Sequence, residues 1–228
     1  MYFKNTLNSI NIAFRLEVIV GGNMTNTKIK RFTYLALFIA IELVMNAIPF
    51  LGFIPLGAIN ATTLHIPVIL TAIILGKKEG TIMGLLFGFL SMMKNTINPT
   101  ATSFVFSPFI SIGGVNGGLA SLLIAFIPRM MIGYGSGLIY ELLAKFKIND
   151  SINTAISGAC GSLLNTILVM SGIYVFFGQA YAEVMNLSYQ ALIAFIMSVI
   201  TTNGIAEAIV AAILCTAVGK VAKKIVRL

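Results

Sequence analysis

The chain has 228 residues, 58% hydrophobic and only 10% charged, with a mean hydropathy of +0.97. A soluble domain would carry roughly a quarter charged residues, so this is the composition of an integral membrane protein. The formal net charge of +8 does not mark a nucleic-acid binder, because the basic residues cluster between apolar stretches, where they set membrane orientation. Those stretches are long enough for helices and lack the period-two alternation of a β-barrel strand. The chain has room for about six spans of ~20 residues.

Residues 1–23 fit nothing that follows: they are modestly amphipathic, without the apolar core or cleavage site of a secretory signal. Gly21-Gly22-Asn23-Met24 can be encoded GGAGGAAATATG, a ribosome-binding site followed by a start codon. We therefore expect Met24 to be the initiator, residues 1–23 a translated leader or disordered N-terminus, and residues 24–228 the membrane domain. Native protein whose N-terminal sequence began at Met1 would refute this.

The first span, residues 32–51, follows Lys28, Lys30 and Arg31. Ala36 and Ala40 lie on one of its faces, where small residues permit close helix approach; Glu42 and Asn46 also fall inside it. An uncharged loop, residues 52–63, leads to a second apolar segment, residues 65–75, short for a full crossing. A basic turn at residues 76–80 precedes the third span, residues 81–93, with Gly80, Gly84 and Gly88 on one face. The fourth span, residues 119–143, is interrupted at Pro128-Arg129. The fifth, residues 152–177, holds Asn165 near its middle, and an outer loop, residues 178–188, follows. The sixth, residues 191–218, contains Thr201, Thr202, Asn203 and Glu207.

Between the third and fourth spans lies KNTINPTATSFVFSPF, residues 94–109. It is too polar and too rich in proline for a helix in lipid. A few fixed amides and hydroxyls beside phenylalanine faces are the makings of a small-molecule pocket. Lys94, Asn95, Asn98, Thr102 and Ser103 are candidates for its mouth.

Lys28, Lys30, Arg31, Lys77, Lys78, Lys145, Lys147, Lys220, Lys223, Lys224 and Arg227 all fall on one side of a six-span arrangement. The opposite loops, residues 52–63, 98–118 and 178–188, hold no Lys or Arg. By the positive-inside rule both termini are cytoplasmic and the polar loop faces outward.

Arg129 lies about ten residues into the fourth span, ~15 Å along the helix. Charge at that depth faces a bundle interior or a wet cavity. It either anchors a ligand carboxylate with its planar fork or pairs structurally with Glu42 or Glu207. Asn165, Asn203 and Glu207 sit at comparable depth on the last two spans, as a cavity floor or as glue between helices. His65, the sole histidine, reads as a satisfied interfacial residue, and Cys160 and Cys215 as small buried hydrophobes. No metal site is indicated. GxxxxGK[ST], HExxH and GxSxG are all missing from the sequence, so neither a P-loop ATPase nor an enzyme is supported.

Six spans, the Ala36-xxx-Ala40 face and the polar third outer loop resemble the substrate-binding S components of energy-coupling factor (ECF) vitamin transporters. The stretches that carry the resemblance are TLHIPV (63–68), NPTATSFVFSPF (98–109), PRMMIG (128–133) and NGIAE (203–207); it covers about residue 28 to the C-terminus. The resemblance implies an all-α integral membrane protein in which six transmembrane helices and re-entrant-like outer loops cap a ligand cavity. It also implies no cofactor, one tightly bound water-soluble vitamin, and partners in a membrane coupling subunit carrying two ABC ATPases. Ala36 and Ala40 would meet the coupling subunit; Asn95, Asn98, Thr102, Phe106, Arg129, Asn165 and Asn203 would meet the ligand. A deep Arg with Asn and Thr partners suits a small hydroxylated acid and favours pantothenate, with pyridoxine and hydroxymethylpyrimidine as rivals. A stand-alone facilitator is the alternative outside the family.

Overall fold

The computed structural model describes residues 25–48, 52–56 and 59–225; the expected leader, residues 1–23, lies outside them. Helix α1 (Thr25–Ala47) leads to an antiparallel hairpin, β1 (Phe53–Leu56) with β2 (Ile59–Thr62). Helices α2 (Ile66–Leu75) and α3 (Lys77–Ile97) follow. The connection to α4 (Leu119–Lys145) holds a 3-10 turn (Ser103–Val105) and a two-residue ribbon, β3 (Ser111–Ile112) with β4 (Val115–Asn116). The long α5 (Asp150–Val184) precedes the last rod, where α6 (Tyr189–Val199) passes through a π-helical turn (Ile200–Gly204) into α7 (Ile205–Ile225). Six helical rods result, as expected.

Three of these rods, Leu119–Lys145, Asp150–Val184 and Tyr189–Lys224, are each long and apolar enough to cross a bilayer. The outside of the bundle is apolar as well: on α7 the stripe Ile205, Ile209, Ile213 is more than half exposed. Water would tolerate no such face on a monomer, whereas lipid solvates it.

Helix α2 is the exception in length. Its ten residues rise only ~15 Å, half a hydrocarbon core, yet all but one are buried. It forms the axis of the molecule, packed against α1, α3, α4, α5 and α7. The hairpin, whose β2 packs on α7 and the π-turn, spans residues expected to be a plain loop, and its two strands satisfy one another's backbone groups, as non-helical chain near lipid requires. Gly76, at φ +112°, makes the whole reversal from α2 to α3.

Helix α3 meets α4 through glycine. A Cβ on Gly84 would stand 2.1 Å from the Arg129 carbonyl oxygen, and one on Gly133 would stand 2.0 Å from that of Gly80. No other residue permits this approach, so the glycine face read from the sequence is the α3–α4 contact.

Two boundaries differ from expectation. Helix α3 runs on to Ile97, with the Asn95 and Thr96 side chains turned back onto the carbonyls of Ser91 and Met92, both at 2.8 Å; it stops at Asn98, ahead of Pro99. Helix α5 continues through residues 178–184, read as loop, because Tyr181 and Ala182 are buried in the upper core. Packing there overrides the polar Gln179 and Glu183.

Ion pairs gather at one end of the bundle. Arg31 pairs with Glu79 at 2.8 Å and also donates to the Leu75 carbonyl. Lys77 pairs with Glu141 at 2.7 Å. Lys223 pairs with Asp150 at 2.7 Å and donates to Tyr140 and Thr154. The first and last helices therefore meet the others at the same basic end. Two apolar clusters form, one around α2 that reaches the basic end through Leu75 and Tyr140, and one joining the polar connection to α5 and α6.

Candidate ligand-binding site

Between those clusters is a cavity of ≈360 Å³, at the small end of ligand pockets (about 300–1,000 Å³). Its walls come from α1, the end of β2, α3, the polar connection, α4, α5, the last rod and the start of α7.

Arg129 is 8% exposed and reaches this cavity. Pro128, one residue before it, has no N–H, so the Ile124 carbonyl loses its helical donor. Arg129 Nη1 fills that role, donating to Ile124 O at 2.9 Å. Helix α4 thus runs unbroken through Pro128, where an interruption was expected. Arg129 Nη2 reaches Ser91 Oγ at 3.4 Å, and the guanidinium carbon lies 5.6 Å from the Phe87 ring centre and 5.1 Å from that of Phe106. Its Nε has no hydrogen-bond partner among the described residues.

The sequence left Arg129 open to pairing with Glu42 or Glu207, and it pairs with neither. Glu207 Oε1 accepts from the Thr62 backbone N–H at 2.9 Å and from its hydroxyl at 2.8 Å, while Oε2 has only the Thr166 hydroxyl, at 3.4 Å. Glu42 is fully buried, with no partner for either oxygen among the described residues, and does not line the cavity. Among the described residues the ion pairs are the three at the basic end.

The polar connection is a packed cap. Phe104 and Val105 are fully buried, and the Phe104 ring meets Phe177 edge-on at 5.5 Å. Ser103 Oγ donates to Asn95 Oδ1 at 2.8 Å, Thr96 and Ser107 share a hydrogen bond at 2.7 Å, and Ser121 Oγ donates to Phe104 O at 2.6 Å. These bonds bring Phe106 over Arg129.

Of the seven residues read as ligand contacts, six line the cavity: Asn95, Asn98, Phe106, Arg129, Asn165 and Asn203. Asn95 does so with both ends of its amide already engaged by Ser91 and Ser103. Thr102 stands apart, half-buried at the start of the 3-10 turn and off the cavity wall, because the turn points Phe104 and Val105 inward in its place. Asn203 reaches the wall from the π-turn. There the Thr201 and Thr202 hydroxyls take the carbonyls of Met197 and Ser198, which competes with regular helical bonding.

Sequence reasoning passed over Thr62, Phe87, Ser91 and Thr166, which also line the cavity. Ser91 was findable, since it lies one turn before Asn95 and two after Gly84 on α3. Thr62 was not, because only the hairpin brings it there. His65, read as a satisfied interfacial residue, is buried instead, with neither ring nitrogen hydrogen-bonded among the described residues. Cys215 is buried and Cys160 partly so, both unpaired.

A small, capped cavity inside a membrane bundle, with a positive group and several amides on its wall, defines a binder of small polar solutes rather than an open pore. The chain belongs to the ECF transporter substrate-specific component family, whose model matches residues 30–219. It is 34% identical over 204 residues to the pantothenic acid transporter PanT of Lactococcus lactis subsp. cremoris, covering 86% of this chain and 94% of that one. It is 28% identical over 207 residues to the pantothenate transporter PanT of Leuconostoc mesenteroides subsp. mesenteroides, covering 87% and 94%. The family is one of transporter subunits and not of enzymes.

Proposed function

We propose that this S component captures pantothenate from outside the cell and delivers it through an ECF module. The observation that carries the ligand assignment is Arg129: a guanidinium at the cavity wall with no carboxylate partner among the described residues. A buried cation without a counter-ion is costly, and a ligand carboxylate resolves that cost with a charge-assisted pair. Phe87 and Phe106 confine the fork, and the amides of Asn98, Asn165 and Asn203 supply further polar contacts along the wall. The cavity's modest volume favours an acyclic acid over a larger vitamin such as a flavin. Two relatives that carry pantothenate in their names support the same choice.

The basic end of the bundle is cytoplasmic by the positive-inside rule, so both termini are inside the cell membrane's cytoplasmic face and the cap faces outward. Ala36 and Ala40, exposed on α1, form the contact for a membrane coupling subunit, which carries two ABC ATPases.

Titration calorimetry of the detergent-purified protein against a panel of water-soluble vitamins tests the ligand. Pantothenate is expected to bind tightly, and Arg129→Ala to weaken it at least a hundredfold. Tight binding of pyridoxine or hydroxymethylpyrimidine alone would move the ligand while keeping the family. Pantothenate binding that survives Arg129→Ala would remove the carboxylate from Arg129.

A further inference from the structure

Amides and hydroxyls are spread around the cavity wall, and its cationic groups come from α3 and α4: Arg129, with Ser91 beside it, and Lys94 farther along α3. Two acceptors on α5 and α7 stand out from the rest. Asn165 lines the cavity from α5, and its Oδ1 is buried without a hydrogen-bond donor among the described residues. Glu207 lines it from α7, with Oε1 committed to Thr62 and Oε2 held only by the 3.4 Å contact to Thr166, which is beyond the usual range for a hydroxyl donor. Two acceptors on neighbouring helices, carried by residues that line the cavity Arg129 also reaches, are thus short of donors among the described residues. No ion pair joins Arg129 to Glu207.

An acceptor buried without a donor is a defect unless the ligand supplies one. We propose that Asn165 Oδ1 and Glu207 Oε2 form an acceptor pole that takes hydroxyl and amide N–H groups of the ligand, fixing its orientation and selecting its class. This rests on the pantothenate reading and deepens it. The carboxylate end faces Arg129, and the pantoyl hydroxyls and amide N–H face α5 and α7. The same pole excludes dicarboxylic acids, whose second carboxylate would meet Glu207 as a like charge and offer Asn165 no donor. Glu207 has a further consequence through its other oxygen. A ligand donor on Oε2 and the hairpin's Thr62 on Oε1 share one carboxylate, so filling the cavity steadies the residue that holds β2 in place.

The test compares pantothenate with panthenol, in which an alcohol replaces the carboxylate, by calorimetry on the full-length protein in detergent. Asn165→Leu removes the acceptor while keeping the size of the side chain. Glu207→Gln keeps an oxygen for Thr62 and turns the ligand-facing acceptor into a donor. Each is expected to weaken both ligands at least tenfold, leaving the wild-type preference for pantothenate over panthenol intact, whereas Arg129→Gln collapses that preference. Thermal unfolding of the ligand-free variants, unchanged from wild type, separates lost contact from lost fold. Should one variant prove misfolded, the other alone decides: weakened binding there supports the pole and unchanged binding overturns it. Unchanged pantothenate affinity in both Asn165→Leu and Glu207→Gln overturns the pole and leaves the pantothenate reading standing. A wild type that fails to bind pantothenate overturns the functional reading itself, and the pole with it.

Discussion

Arg129 owes its position to the residue before it. Proline in a helix interior is destabilising by roughly 3 kcal/mol relative to alanine, and Pro128 is retained with a defined effect: it frees the Ile124 carbonyl that the guanidinium then occupies. Pro128→Ala would restore an N–H at position 128, which would compete for that carbonyl and release the fork from its backbone anchor. The expected outcome is opposite movement of two measurements, with unfolding in detergent shifted upward and pantothenate affinity several-fold weaker. A variant that bound as tightly as wild type would show that Phe87, Phe106 and Ser91 suffice to hold Arg129. Depth and charge made Arg129 visible in the sequence. Its partner was not visible, because a freed main-chain carbonyl carries no side-chain signature, whereas Glu42 and Glu207 stood out as charges of the right sign.

Elements bring these groups together through contacts that leave no spare room. The α3–α4 seam is the tightest of them, with Gly84 against the Arg129 carbonyl and Gly133 against Gly80. Gly84→Ala puts a methyl 2.1 Å from that oxygen, so the helices must part and carry Ser91 and Phe87 away from the guanidinium. We expect lower thermal stability by several degrees and a large loss of ligand affinity. Gly118→Ala serves as the control, since a Cβ there meets nothing within 4 Å and its φ of −168° suits any residue. Equal behaviour of the two variants would refute the seam's role. The glycine spacing announced this contact in the sequence, as apolar run length announced the rods themselves. The hairpin was hidden because it depends on which groups meet across the chain, as Thr62 meets Glu207, and the π-turn because the local Thr201 and Thr202 bonds that accompany it leave the apolar run length unchanged. The upper turns of α5 were hidden because Gly178, Gln179 and Glu183 read as loop until Tyr181 and Ala182 are seen to be buried.

At the scale of the molecule, ion pairs bind the basic end while hydrogen bonds and apolar packing close the cavity end. Helix α1 belongs to the periphery: it packs on α2 and α3 and turns Ala36 and Ala40 outward, with Phe32 on the same side 74% exposed. Small residues at the centre of an outward face gain nothing against fluid lipid, which covers large apolar side chains equally well. They matter where another helix must approach closely, and membership of the ECF family supplies such a partner in the module the subunit serves. Because neither Ala36 nor Ala40 lines the cavity, docking and ligand binding are separable by mutation. Ala40→Trp places a bulky ring on the outward face without touching the bundle interior. Purified Ala40→Trp is expected to bind pantothenate with wild-type affinity and to unfold at the wild-type temperature. Co-expressed with an ECF module, it is expected to fail to co-purify and to support no uptake. Transport at the wild-type rate would place the coupling contact on another face, whereas loss of ligand binding along with transport would mean that α1 helps to hold the cavity closed.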